Sequence, residues 1–168
     1  MNWEGRPPPV VRLRPVRESD IPAFFEHQLD PDAAWQVAFT RENAADRTAF
    51  EEHWARILAD DQRIKWTIEI DGEVAGNIVK FDDFGDPEVG YWIGRAWWGR
   101  GVGTRALELL LEKVTERPLF GVVAADNLAS IRVLEKCGFR AVGSGRAHSH
   151  ARGVEVDQVV MRLDPTET

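Results

Sequence analysis

The chain has 168 residues, with 28 Asp and Glu against 21 Lys and Arg and a net charge of −7, a balance that excludes the strongly basic signature of a nucleic-acid binder. The length suits one domain with one core, and 43% hydrophobic with 29% charged residues excludes wholesale disorder. No apolar run approaches the roughly 20 residues that span a bilayer.

Met1 to Val10 contains Glu4, Arg6 and three consecutive prolines where an export signal needs an uninterrupted apolar stretch. The single cysteine, Cys137, cannot form an internal disulfide, so a reducing cytoplasm is the expected setting. The charge is uneven. Arg17 to Asp61 holds 11 acids and 4 bases, whereas Arg95 to Arg152 holds 10 bases and 5 acids. One stretch therefore favours cations and the other an anionic ligand, unless the acidic helices only present solvated faces.

In chain order, Val10 to Val16 alternates apolar residues with arginines and predicts a short half-buried strand. Ser19 or Asp20 caps a helix to about Gln28. Ala49, Phe50, His53, Trp54, Ile57 and Leu58 recur at three and four residues, which predicts a second helix over about Arg41 to Asp60. Ile64, Trp66, Ile68 and Ile70 alternate with polar residues, and Asp71-Gly72 follows at once. That pattern predicts a strand, a two-residue turn, and an antiparallel return over Glu73 to Phe81. Asp82 to Pro87 reads as a polar turn and Glu88 to Gly94 as another strand.

After a glycine-rich segment, Ala106, Leu107, Leu110, Leu111 and Val114 mark one face of a helix that Pro118 stops. Leu119 to Ala124 is a continuous apolar run, the pattern of a strand covered on both faces. Asn127 caps a further helix with Ile131, Leu134 and Cys137 toward the core, and Gly138 suits its left-handed end. Phe139 to Gly143 and Val154 to Leu163 pair as terminal strands around a polar connection. The whole reads as a single α/β (α+β) domain over residues 1–168, ordered over about 10–164, antiparallel early and βαβ-like in the middle.

Gly99, Gly101 and Gly103 alternate with Arg100 and Val102 directly before a helix. Such a loop lets the backbone approach a ligand and turns N–H groups inward at the positive end of the helix, which favours phosphate or pyrophosphate. Arg95, Arg100 and Arg105 are placed to assist. A mere turn into a helix needs one glycine rather than three. Gly101-Val102-Gly103-Thr104-Arg105-Ala106 also satisfies the dinucleotide fingerprint, with Asp126 twenty residues beyond Ala106. That fingerprint should directly follow a buried parallel strand, yet Arg95 to Trp98 intervenes and hairpins precede it. No Lys-Ser or Lys-Thr follows the glycines, so a P-loop does not fit.

Gly90-Tyr91-Trp92-Ile93, Trp97-Trp98-Gly99-Arg100-Gly101-Val102-Gly103-Thr104-Arg105-Ala106-Leu107 and Asn127 to Phe139 resemble the signature regions of the GNAT superfamily of acyl-CoA N-acyltransferases, and most closely its Rim-type branch. The resemblance implies a mixed, mostly antiparallel central sheet flanked by helices, with a V-shaped split at the acyl-CoA site. It further implies that Gly99 to Thr104 cradles the coenzyme A pyrophosphate, while Trp92, Ile93 and Gly94 offer main-chain partners to the pantetheine arm and Asn127 and Ser130 face that arm. Where the superfamily's loop usually begins with Gln or Arg this chain has Trp98, as is common in the Rim-type branch.

Amide formation from a thioester needs a neutral amine, although an alkyl amine has a pKa of about 10. Glu88, at the start of the strand expected to bind pantetheine, is the candidate base, and it shares a strand face with Gly90 and Trp92. Asp83, Asp86 and a water chain supported by Asp126 are the alternatives. By resemblance, a tyrosine is often found seven residues after Asn127 to protonate the leaving thiolate. Here that residue is Leu134, and Ser130 occupies a position where Rim-type enzymes carry a serine suited to the thiolate. A main-chain N–H near Trp92 or Ile93 is expected to hold the oxyanion.

His148 and His150 share a strand face without the ligand pattern of a metal site; His53 and Cys137 read as packed groups, and Trp35 as a border of the acceptor pocket. The expected function is direct acetyl transfer from acetyl-CoA, with no metal, to a primary amine such as a peptide N-terminus or small cation, drawn by the acidic Arg17 to Asp61 stretch. Nucleic acid and membrane are not expected partners, and the protein is expected as a monomer or homodimer. The alternatives are a non-catalytic acyl-CoA-binding regulatory domain and an NAD-type dinucleotide binder. The acceptor's identity stays open.

Overall fold

The structure, a computed structural model, describes residues 7–166; Glu4 and Arg6 lie outside them. The described residues form seven strands and five α-helices: β1 (Val11–Pro15), α1 (Ile21–Leu29), α2 (Pro31–Val37), α3 (Arg47–Ala59), β2 (Ile64–Ile70), β3 (Glu73–Asp83), β4 (Asp86–Ile93), α4 (Val102–Lys113), β5 (Leu119–Ala124), α5 (Leu128–Lys136), β6 (Arg140–Ser149) and β7 (Val154–Leu163). Short 3-10 turns precede α1 and follow β4. The strands build one sheet in the order β1-β2-β3-β4-β5-β7-β6. Every neighbouring pair is antiparallel except β4 and β5, which are parallel and meet at the single pair Glu88 and Phe120.

The alternation read in β2 is a true face: Ile64, Trp66, Ile68 and Ile70 join Ile78, Val89 and Leu119 in a core covered by Leu107 and Leu110 of α4 and Leu134 of α5. On the opposite face Phe24, Phe25, Phe50, Trp54 and Ile57 of α1 and α3 pack with Val74 and Val79 of β3. Asp71 and Gly72 both take positive φ (51° and 79°), as a two-residue hairpin turn requires.

Several boundaries depart from the sequence reading. The second helix starts at Arg47 rather than Arg41, because Asp46 accepts the Ala49 N–H at 3.1 Å and fixes the start there. The turn expected over Asp82 to Pro87 is only Phe84-Gly85, both at positive φ, so β3 and β4 run four residues longer into it. Helix α4 ends at Lys113, where Val114 turns extended, so Pro118 is not its stop. Strand β6 extends to Ser149 rather than Gly143 because the β7 ladder continues through Ser149 and Val154. Asp20 is the N-cap residue of α1, but its side chain makes no capping bond to that helix. Its carboxylate turns inward and accepts Arg14 Nη1 and Nη2 at 2.7 and 2.8 Å, Thr67 Oγ1 at 2.7 Å and the Arg17 N–H at 2.9 Å.

Candidate active site

Beyond Glu88 the strands β4 and β5 part, and the opening leads to a cavity of about 1060 Å³. The Gly94 N–H donates to Ala75 O at 2.8 Å, so in the antiparallel register the pair Trp92 and Asn77 also bonds across β3–β4. By the same alternation, Tyr91 and Ile93 turn their N–H groups away from β3 into the split. The expected main-chain partners therefore differ in what they leave open. Ile93 faces the opening, Trp92 is engaged with β3, and Gly94 has both groups in use, its carbonyl accepting the Trp97 N–H at 2.9 Å. Gly94 lies outside the cavity lining, and so does Arg100, whose guanidinium lies 4.8 Å from the Trp97 ring centroid.

The glycine loop closes one end of the cavity. Gly101 takes the left-handed conformation at φ 75° as the residue before α4, and a side chain there would meet open space but strained backbone. Gly103 lies so close to α5 that a Cβ would sit 3.4 Å from Val133 Cγ2, which sets how near the two helices come. The first N–H groups of α4 have no partner within the helix, and they carry its partial positive charge toward the cavity mouth. Trp98 is locked beneath the loop, its Nε1 donating to Ile93 O at 2.8 Å. Trp92, Ile93, Trp98, Gly99, Val102 and Thr104 all line the same space, with Asn127 and Ser130 facing them from α5. Asn127 Oδ1 accepts the Ser130 N–H at 3.3 Å and caps α5 as expected. Arg95 and Arg105 are committed elsewhere, the first to Asp30 and Asp32 and the second to Glu108.

Glu88 lines the other end, beside Phe81 and Asp83. Burial, and then the neighbouring Asp83 charge, push its carboxyl from 4.5 up to about 7, the range in which a carboxylate can take a proton from an amine and release it again. Of the alternative bases Asp83 lines the same end, and Asp86 and Asp126 lie outside the cavity lining. Asp126 is gripped by both Arg152 nitrogens at 2.7 and 2.9 Å, which holds its carboxyl below the usual range, and this also removes it as a ribose acceptor.

Some groupings had no counterpart in the sequence reading. The Tyr91 hydroxyl lies 2.7 Å from Ser130 Oγ, joining β4 to α5 across the cleft. Helix α2 forms one wall through Ala33, Gln36 and Val37; its signal was Asp30-Pro31, a cap followed by proline. The Arg152 side chain, 8% exposed, donates to Trp35 O at 2.8 Å and stacks on the Trp35 ring while it grips Asp126. Trp35 therefore borders a small separate hollow of about 330 Å³ and not the main cavity. His148 and His150, ring centroids 5.0 Å apart, line the main cavity from the β6 end.

The acidic Arg17 to Asp61 stretch contributes no carboxylate to the cavity lining. Asp20 is buried against Arg14, Asp30 and Asp46 cap helices, and Glu51 pairs with Arg47. The carboxylates at the cavity are Asp83 and Glu88, from outside that stretch. The NAD reading is also set aside by topology, because β4 is antiparallel to its predecessor and a 3-10 turn separates it from the glycine loop.

Comparison with known proteins places this geometry. A Bacillus subtilis protein named as probable N-acetyltransferase YjcK is 29% identical over 122 residues, 70% of this chain and 64% of its own length. A Bacillus licheniformis N-acetyltransferase, p20, is 27% identical over 60% of this chain and 58% of its own. The chain thus matches about three-fifths of the length of these curated relatives. Mycobacterium smegmatis RimJ, solved with CoA-disulfide, shares the fold at a TM-score of 0.77 and 23% identity, covering 93% of this chain and 82% of that one. Residues 11–140 match the acetyltransferase (GNAT) domain family. Since that match runs from the first residue of β1 to the first of β6 and takes in the split, the glycine loop and α5, the chain belongs to the GNAT acetyltransferase family.

Proposed function

We propose that this protein transfers an acetyl group from acetyl-CoA directly to a primary amine. The observation that carries the reading is that one continuous cleft joins a glycine-rich helix N-terminus to a half-buried carboxyl raised toward neutrality. Gly99, Gly101, Val102, Gly103 and Thr104 would receive the diphosphate on backbone N–H groups. The pantetheine arm would lie in the split, where its amides can pair with the Tyr91 main chain and the Ile93 N–H in place of a neighbouring strand, with Asn127 and Ser130 opposite. Of these, an N–H of Tyr91 or Ile93 is suited to hold the carbonyl oxygen as charge develops on it.

The acceptor would enter from the end lined by Phe39, Phe81, Asp83, Gln36, His148 and His150. Two carboxylates among aromatic rings favour an amine that arrives as a cation, and this charge comes from β3 and β4. Glu88 takes the proton from the amine nitrogen, the nitrogen attacks the thioester carbonyl, and the coenzyme departs as a thiolate near Ser130. A thiol pKa of about 8.5 makes that departure feasible without a strong acid.

A screen for coenzyme A release with peptide N-termini, polyamines, amino acids and aminoglycosides tests the reading. Turnover with cationic amines is expected. Binding of acetyl-CoA without release of coenzyme A across the panel would instead identify a non-catalytic acyl-CoA-binding domain, and turnover confined to neutral or anionic acceptors would refute the acceptor class.

A further inference from the structure

The chain has one tyrosine, and it is Tyr91. It projects from β4 onto the face covered by α4 and α5, packed against the same buried core as Ile93, Ile131 and Val133. Its hydroxyl lies 2.7 Å from Ser130 Oγ, where either oxygen can donate, and it can also donate to Ser130 O at a longer 3.3 Å. The carbonyl belongs to the α5 ladder, where the helical bond four residues on uses it. The hydroxyl oxygen is both nearer and unclaimed.

Two hydroxyls that share one hydrogen bond admit two arrangements. If Ser130 donates to Tyr91, its proton points away from the cleft. If Tyr91 donates to Ser130, the serine proton is released toward the cleft. Resting on the acetyl-transfer reading above, we infer that Tyr91 is a positioning residue for the leaving group: it donates to Ser130 Oγ and so commits the serine proton to the sulfur of the departing coenzyme. In the step it serves, the amine nitrogen bonds to the carbonyl carbon, the C–S electron pair leaves on sulfur, and the nitrogen's proton passes to Glu88 and on to solvent. The thiolate accepts the Ser130 hydrogen bond and takes a proton from solvent on release. Ser130 and Tyr91 keep their own protons throughout.

The surroundings hold Tyr91 in the donor role. Burial pushes its hydroxyl up to about 12, an effect the Ser130 hydrogen bond opposes. The ionisable group facing it from α5 is Cys137, whose thiol is itself pushed up to about 11 by burial and then by Glu108. The native phenol therefore remains protonated across the assay range. A phenol made acidic enough to ionise becomes an obligate acceptor and draws the serine proton away from the sulfur.

Because Tyr91 is the sole tyrosine, biosynthetic replacement of tyrosine by 3,5-difluorotyrosine changes this phenol alone, and its ¹⁹F resonance reports its ionisation. The unmodified protein is first assayed for coenzyme A release; absence of turnover there would overturn the acetyl-transfer reading and this inference with it. Given turnover, kcat of the fluorinated protein is expected to fall with rising pH in step with the ¹⁹F titration, while the native protein shows no such fall. In Ser130→Ala the fall should vanish. Tyr91→Phe is expected to lower kcat about fivefold with KM for acetyl-CoA unchanged, and to cost nothing further in Ser130→Ala. A kcat that stays level through the ¹⁹F titration, or a Tyr91→Phe loss undiminished in Ser130→Ala, would overturn the inference without touching the proposed activity. The fluorinated protein retains a tyrosine-like side chain, so the test stands even if Tyr91→Phe fails to fold.

Discussion

Glu88→Gln is the substitution that bears hardest on the proposed chemistry. With its carboxyl at about 7, Glu88 is half ionised at that pH and about one-tenth ionised a unit below, so wild-type kcat/KM should drop about tenfold per pH unit on the acid side. Glutamine keeps the shape and removes the base, and the rate at pH 8 should fall by about 10²–10⁴-fold with the acid limb gone. Asp83→Asn removes the lesser of the two causes of the shift and leaves burial, so the limb should move to lower pH without disappearing. Stability gives an independent reading. The folded protein holds this proton more tightly than the unfolded chain, so the stabilising contribution is full below 4.5 and is lost as pH rises through about 7. Direct conversion gives about 3 kcal/mol, which solvent at the half-buried carboxylate reduces to about 1–2 kcal/mol. Glu88→Gln should therefore melt at least as high as wild type at pH 8 and lack that slope. A glutamine variant that keeps most of its rate and an unaltered acid limb would place the base elsewhere and refute the reasoning.

Two further outcomes follow from the described contacts. Asp20, with a side chain 4% exposed, is held at about 2 because the hydrogen bonds from Arg14, Arg17 and Thr67 outweigh its burial. Its contribution of about 2 kcal/mol is present above 3.8 and lost as pH falls through 2, and Asp20→Asn should cost about 2–3 kcal/mol in urea unfolding at pH 7, since Arg14 then keeps Glu69 as its only carboxylate partner. Gly101→Ala and Gly72→Ala each place a side chain at positive φ (75° and 79°) and should each cost about 1 kcal/mol in thermal unfolding; calorimetry should find weaker acetyl-CoA binding only for Gly101→Ala.

The parts of the fold legible in the sequence were those with a buried face on one side. The Ile64 to Ile70 alternation, the Asp71-Gly72 turn and the apolar stripe of α4 each declare period and location at once. Strand β6 does not, since Arg140 to His148 is exposed along nearly its whole length and no core imposes alternation on it. Helix α2 is too short for a stripe and is held by contacts distant in sequence, such as the hydrogen bond from Ser149 Oγ to Ala38 O at 2.6 Å. The glycine loop was readable because its spacing is local, and Glu88 and Ser130 entered as candidates through the family resemblance rather than through any pattern of their own. The Tyr91 and Ser130 contact was not, because it joins residues 39 apart through the parallel approach of β4 and β5. The acidic stretch misled for a related reason: a net charge counts carboxylates but not the arginines and helix ends that engage them.

The single meeting point of β4 and β5 has a mechanical consequence. The sheet is two hydrogen-bonded halves, β1–β4 and β5-β7-β6, that meet at Glu88 and Phe120, so that pair fixes how far the halves can separate beside it. The glycine loop lies past the open end of the split, whereas Glu88 sits at the join itself. A coenzyme arm bound as proposed would lie along the main chain that the split leaves unpaired, with the candidate base held where the pairing resumes.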